Sequence, residues 1–152
     1  MFSKELLVIL VSALPISELR GGIPLALYYN FSPLKAFLLA VLGNGIIILP
    51  LLMLVGVIFK YLKKIKIFAK FSDWFEKHTL KKKDIVNKYG LLGLMLFVAI
   101  PMPYTGAYTA CFLSHLLGLK IKNAFLFIFL GVLIAGILVL SASLGVLKIF
   151  SI

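Results

Sequence analysis

Between positions 15 and 24 the chain reads Pro-Ile-Ser-Glu-Leu-Arg-Gly-Gly-Ile-Pro, which sets two charges, a glycine pair and two prolines between the apolar runs 6–14 and 25–29. A helix inside a membrane wants uninterrupted hydrocarbon at such a place. A charge at membrane depth costs roughly 2.5–3.5 kcal/mol even on permissive insertion scales, so it is buried, paired or turned to a wet cavity. Pro15 and Pro24 remove helix hydrogen bonds and Gly21 and Gly22 permit a turn. Backbone interrupted in this way survives in a bilayer only where protein or water satisfies it. The stretch is therefore expected to be a functional site in a broken helix, with Glu18 and Arg20 as its chemical groups. The plain alternative is a polar surface loop between two short helices.

The premise of a membrane rests on the rest of the chain. Of the 152 residues 62% are hydrophobic and the mean hydropathy is +1.14, which fits one membrane domain and not a soluble one. Segments 34–59 and 123–147 are long enough, at 1.5 Å rise per residue, to cross a hydrocarbon layer of roughly 30 Å. Lys35 is the only charge inside either. The expected fold is an all-α integral membrane protein, multi-pass and in the cell membrane. The net charge of +11 does not point to nucleic acid, because residues 60–88 hold ten lysines against Asp73, Glu76 and Asp84. A basic loop beside a span marks the cytoplasmic side. The lone Cys111 excludes an internal disulfide. His78 and His115 have no ligand-spaced neighbours, so neither a metal nor a cofactor is expected. Residues 4–14 mimic a secretion signal but lack a small-residue cleavage site before the charged motif, and are expected to remain.

In chain order, residues 1–59 form a first unit: a short apolar helix to Leu14, the broken motif, a second short piece from Ile23 to Tyr29, and a turn at Asn30-Phe-Ser-Pro33 leading into the span. Gly43-Asn44-Gly45 and Pro50 interrupt that span and suggest a kink; Asn44 would bond another helix or line a cavity, and the plain packing role is the preferred reading. Residues 60–88 form a basic amphipathic connector. Lys63, Lys64, Lys66 and Lys70 alternate there with apolar residues and Trp74, which suits a helix lying on an anionic leaflet; a solvated connector is the alternative. Residues 89–152 then repeat the first unit: a short helix over 91–100, a break at Pro101–Ala107, an apolar piece over 108–118, a turn and the span. At an offset of 88, Ala36-Phe37-Leu38 matches Ala124-Phe125-Leu126, Leu42-Gly43 matches Leu130-Gly131, and Pro15 falls on Pro103. Internal repeats with interrupted helices mark transporter folds.

Two topologies fit this order. Each broken segment is either a re-entrant hairpin, which gives an inverted repeat with both termini outside, or a span, which puts both termini inside. With the connector inside, both place twelve lysines inside and three outside. Two facing hairpins would bring Glu18 and Arg20 together with Thr105 near the mid-plane, whereas four plain spans leave more broken backbone toward lipid. Hairpins are therefore the preferred reading.

The paired motifs Glu18-Leu-Arg-Gly-Gly-Ile-Pro24 and Pro101-Met-Pro-Tyr-Thr-Gly-Ala107 resemble the signature of the small multidrug export protein family, itself similar in layout to the DedA/VTT membrane proteins. The resemblance covers nearly the whole chain. It implies an inverted repeat of re-entrant hairpin plus transmembrane helix, and a transporter or lipid-translocase role. It carries Glu18, Arg20 and Pro24 in the first motif, and Pro101, Pro103, Thr105 and Gly106 in the second. The second hairpin of DedA proteins typically supplies an arginine, and residues 100–115 here contain none. Arg20 must then meet an anion alone, or with its copy in a homodimer.

The expected mechanism is proton-coupled carriage. Burial disfavours a charged carboxylate and Arg20 favours it, so a substrate competing for Arg20 shifts the protonation of Glu18. Half-helix N-termini after Gly21-Gly22 and Gly106 would turn partial positive charge on the same anion. The rivals are a static Glu18–Arg20 salt bridge that locks the hairpin, and a non-transporting membrane scaffold that organises lipids through its basic connector. Catalysis is not expected, since Ser17, Thr105 and Thr109 lack a histidine base nearby. The expected partners are membrane lipids and an anionic lipid or small-molecule substrate.

Overall fold

The computed structural model describes residues 3–67, 69–70, 73–74, 83–101 and 106–150, and every regular element among them is a helix. Helix α1 (Lys4–Ala13) is capped by Ser3, whose hydroxyl accepts the Leu6 N–H at 3.2 Å. It stops because Leu14 precedes a proline and is driven to extended backbone, at φ −76° and ψ 142°. Helix α2 (Glu18–Tyr28) begins earlier than the glycine pair suggests. Gly21, Gly22 and Pro24 lie inside it, so the expected break at Gly21-Gly22 and the half-helix start after it move back to residues 14–17. The physical reason is contact: a Cβ at Gly22 would fall on the Ser12 hydroxyl, so the glycine lets α2 press against α1.

Helix α2 ends in a Schellman turn, with Asn30 at φ 60°, Phe31 N–H bonded to the Ala26 carbonyl (3.1 Å) and Asn30 N–H to Leu27 (2.9 Å). Helix α3 (Pro33–Leu62) follows, with Pro33 in its first turn and Ser32 as cap. It runs as one helix through Gly43-Asn44-Gly45 and Pro50. Helix α4 (Lys83–Ala99) is longer than the 91–100 piece and takes residues 83–88 out of the connector. Helix α5 (Ala107–Leu116) ends as α2 does, with Gly118 at φ 63°, Leu119 N–H on the Ser114 carbonyl (3.0 Å) and Gly118 N–H on His115 (3.0 Å). Helix α6 (Ile121–Phe150) closes the chain. The two Schellman turns stand 88 positions apart, and so do the starts of the two 30-residue helices α3 and α6.

Each long helix packs on the short helix that opens its half, at a glycine. A Cβ at Gly43 would strike the Ile9 carbonyl oxygen, and one at Gly131 would lie 2.6 Å from that of Met95. These close approaches are how membrane helices gain dispersion contact. Gly45 faces the Phe129 ring while Gly136 faces Phe37, so α3 and α6 run antiparallel. Glu5 meets Lys35 at 2.8 Å, which places the start of α1 at the N-terminal end of α3. The end of α2 lies there too, joined to Pro33 by its turn. Ser12 lies beside Gly43 and Gly22 beside Ala40, so the tip between α1 and α2 reaches about halfway along α3.

The buried stripe of α3 and α6 includes Ala40, Ile48, Val55, Ala124, Ile128 and Val132. Their outward faces are apolar as well, with Leu38, Leu42, Ile46 and Met53 on α3 and Leu126, Ile134 and Ile137 on α6 exposed. Both helices are long and apolar enough to cross a membrane, with mean hydropathy 2.6 and 2.8 over their central windows. An apolar outer face is what lipid, in place of water, selects.

The glycine contacts predict a contrast readable by thermal unfolding in detergent. Gly43→Ala and Gly131→Ala should each lower stability by roughly 1–3 kcal/mol through overpacking. Gly93 and Gly145 have no atom within 4 Å of a built Cβ. Alanine at either should raise stability by roughly 0.5–1 kcal/mol, as for any glycine in a helix interior.

Candidate functional site

The carboxylate of Glu18 is 7% exposed and leaves its own half of the chain to find hydrogen bonds. It accepts the backbone N–H groups of Ala107 and Tyr108, the first two residues of α5. The cap position of α5 is Gly106, which has no side chain to satisfy those donors. Glu18 supplies that cap from the first half of the chain, and the helix dipole also favours negative charge there. A Cβ on Gly106 would overlap both carboxylate oxygens, so any side chain there would have to displace the Glu18 carboxylate. Positions 18 and 106 are themselves 88 apart, the same spacing as the two Schellman turns.

The backbone is bent to allow this. Glu18 sits at φ 45°, a left-handed conformation that costs a residue with a long side chain of order 1–3 kcal/mol. Its neighbours hold it: Glu18 N–H bonds the Leu14 carbonyl at 3.0 Å, Gly21 N–H bonds Ser17 at 2.9 Å, and the Ser17 hydroxyl donates to Val11. A second tie joins the two tips, as the Tyr108 hydroxyl donates to the Ala13 carbonyl. Arg20 is half-buried on the same helix, and its positive charge acts on the Glu18 carboxylate. It is the only arginine in the chain.

A third helix brings a polar group to this level. Ile48 of α3 faces Cys111 of α5, with the thiol 3.9 Å from the Ile48 carbonyl, and Gly56 faces His115. The two helices therefore run parallel, and one turn back from Ile48 and Cys111 stand Asn44 and Ala107. Asn44 is 1% exposed, and its Oδ1 accepts no hydrogen bond among the described residues. Such an atom in a buried site is an expense that needs a reason.

Of the residues expected from sequence, the structure brings Glu18, Arg20 and Gly106 to one place. Pro15 and Pro101 stand exposed at the two tips, and Gly21, Gly22 and Pro24 belong to the body of α2. Thr105 and Pro103 lie outside the described residues. Lys63, Lys64, Lys66, Lys70 and Trp74 are exposed on the segment after α3, beside exposed Ile65 and Ile67. Sequence reasoning treated Asn44 as a packing residue and passed over Tyr108. The signal for Asn44 was present, since it is the only polar side chain between Lys35 and Lys60. The donors at Ala107 and Tyr108 are backbone groups and leave no mark on residue type.

Residues 18–138 match a family described as "Putative small multi-drug export protein". The match begins at Glu18 itself. No curated protein and no solved structure matches the chain.

Two substitutions test the site without any transport assay. Gly106→Ala should lower the melting temperature, and the loss should vanish in the Glu18→Ala background, where no carboxylate remains to collide; coupling of this kind is what a double-mutant cycle reads. Asn44→Leu should leave the melting temperature unchanged or higher, because it removes a buried acceptor that has no donor among the described residues.

Proposed function

The chain belongs to the small multi-drug export protein family, and on that premise we propose that it is a multi-pass secondary transporter or lipid translocase of the cell membrane, coupled to protons through Glu18. The observation that carries this reading is the buried Glu18 carboxylate seated on the N-terminus of the opposite hairpin's helix. A helix N-terminus is a ready-made anion site. While Glu18 is ionised it fills that site itself. A proton on Glu18 removes the internal anion, leaving the Ala107 and Tyr108 N–H groups and the charge of Arg20 to receive an anionic group from the substrate. Proton and anion then bind together, and the linkage is reciprocal. Asn44 Oδ1, at the same level, is an acceptor for a donor on the substrate or for a bound water.

The same reading makes α1–α2 and α4–α5 re-entrant hairpins in an inverted repeat. The Glu5–Lys35 pair supports it, since it sets the start of α1 on the side where α2 ends. So does the depth of the first tip, about halfway along α3, where broken backbone is tolerated because protein encloses it. The antiparallel course of α3 and α6 gives the two halves opposite orientations. The connector favours a second, non-exclusive reading: its exposed lysines, with Trp74, Ile65 and Ile67, suit a surface that holds anionic head groups in a scaffold that moves nothing.

Sided labelling distinguishes the topologies. In a Cys111→Ala background, single cysteines at Ser3 and Ser32 should react from the same side of the membrane and one at Ile65 from the opposite side. Reaction of Ser3→Cys and Ser32→Cys from opposite sides would mean that α1 and α2 together span. Transport itself is tested in proteoliposomes with a panel of polyprenyl phosphate, anionic phospholipid and cationic dyes. Flux of one class should require a pH gradient and be lost in Glu18→Gln while the protein stays folded. Flux unaffected by Glu18→Gln, or none from folded protein, would sink the carrier and leave the scaffold, whose activity should respond only to the connector lysines.

A further inference from the structure

Between α2 and the C-terminal part of α6 lies a cavity of about 500 Å³, walled by Pro24, Leu27 and Tyr28 on one side and Ser143, Val146 and Leu147 on the other. The hydroxyl on the α6 wall is already committed, as Ser143 donates to the Val139 carbonyl at 2.8 Å. The cleft is thus apolar in character, and its volume lies in the range of ligand sites.

The 88-residue correspondence gives this cleft a counterpart in the other half. Pro24, Leu27 and Leu147 correspond to Phe112, His115 and Phe59. There the space is filled from within: the Phe59 ring lies 4.8 Å from His115 and 6.1 Å from Phe112, and Phe59 is 5% exposed. In the first half smaller residues stand at those places, leaving Leu147 and Tyr28 open at 51% and 80%. One side of a near-symmetric molecule fills the cleft with its own rings and the other leaves it empty of side chains.

We propose that this cleft seats one hydrocarbon chain of an anionic lipid from the leaflet on the α3 N-terminal side. Orientation and charge argue for that occupant. The cleft runs from the level of Pro24 outward to the end of α6, the course a lipid tail takes from mid-plane to surface. The α6 wall continues into Lys148, next to Leu147, and Tyr29, next to Tyr28 on the α2 wall, carries the Lys4 ammonium 5.4 Å from its ring centre. Cations near the surface draw anionic head groups, and Tyr28 has the amphipathic ring favoured at the interface. The inner end of the same α2 face leads to Arg20, one turn before Pro24. The site requires the membrane placement argued above but not transport.

The test is photolabelling in vesicles containing phosphatidylglycerol or phosphatidylcholine with a diazirine in the acyl chain, the labelled peptides being located by mass spectrometry. Alkaline extraction first checks that the full chain is in the bilayer. Loss of the chain at that step would refute the membrane placement and the cleft with it. For an inserted chain, label from phosphatidylglycerol should concentrate several-fold on residues 24–28 and 142–147 over residues 54–59 and 112–116. It should fall in Ser143→Val/Leu147→Phe, which copies the filled half, and Lys148→Gln should erase the preference over phosphatidylcholine. Equal labelling of the two clefts, equal labelling by the two lipids in the native chain, or no change in the filled variant would overturn the proposal. Thermal unfolding of the filled variant confirms that a lost signal comes from a folded protein.

Discussion

A carboxylate set deep among apolar helices must be answered by donors, and Glu18 is answered by the open end of a helix in the other half of the chain. Much of the architecture follows from that one contact. It needs two broken helices whose tips meet, a cap position without a side chain at Gly106, and a strained backbone at Glu18 that aims the carboxylate. It also explains why the tips are tied elsewhere, by the Tyr108 hydroxyl on Ala13. A buried charge held by fixed backbone dipoles is costly to form and costly to disturb, so the surrounding packing is built to keep it in place.

The two halves share features where they pack and differ at their buried polar positions. Matching Schellman turns, matching 30-residue helices and matching glycine contacts at Gly43 and Gly131 require only small residues and similar lengths. The shift is 88 for most of the chain but 86 for the contacts of α1 and α4: Ile9 and Ser12 answer to Met95 and Val98. Two more residues therefore separate the paired contacts in the second half than in the first. The buried polar positions are not duplicated. Glu18 corresponds to Gly106, Asn44 to Val132 and the open cleft to a ring cluster. For the carboxylate the reason is electrostatic. Two such groups brought together where the halves meet would repel, and one would have to hold a proton permanently.

The general plan was readable because hydrocarbon selects so strongly. The two long apolar stretches gave two helices long and apolar enough to cross a membrane, to within a few residues, and Glu18 and Arg20 stood out as charges set among apolar residues. The position of the break was misread because a glycine pair has two physical uses. Gly21-Gly22 can be a turn or a contact, and the partner that makes it a contact, Ser12, lies on a different helix. The better signal was Leu14-Pro15, where the proline dictates extended backbone before it. Gly43 and Gly45 likewise serve as contacts, within a continuous α3.

By itself, then, the sequence determined the apolar surroundings, the number of long apolar helices, the order of elements in each half and the two charged groups set between apolar runs. These depend on residue type and on spacing along the chain, and a linear string carries both. Only the tertiary structure decided which donors meet Glu18, that Asn44 stands at their level, and that one of two equivalent clefts is open. Those facts depend on backbone N–H groups that every residue shares, and on which side chains from distant turns come within a few ångströms.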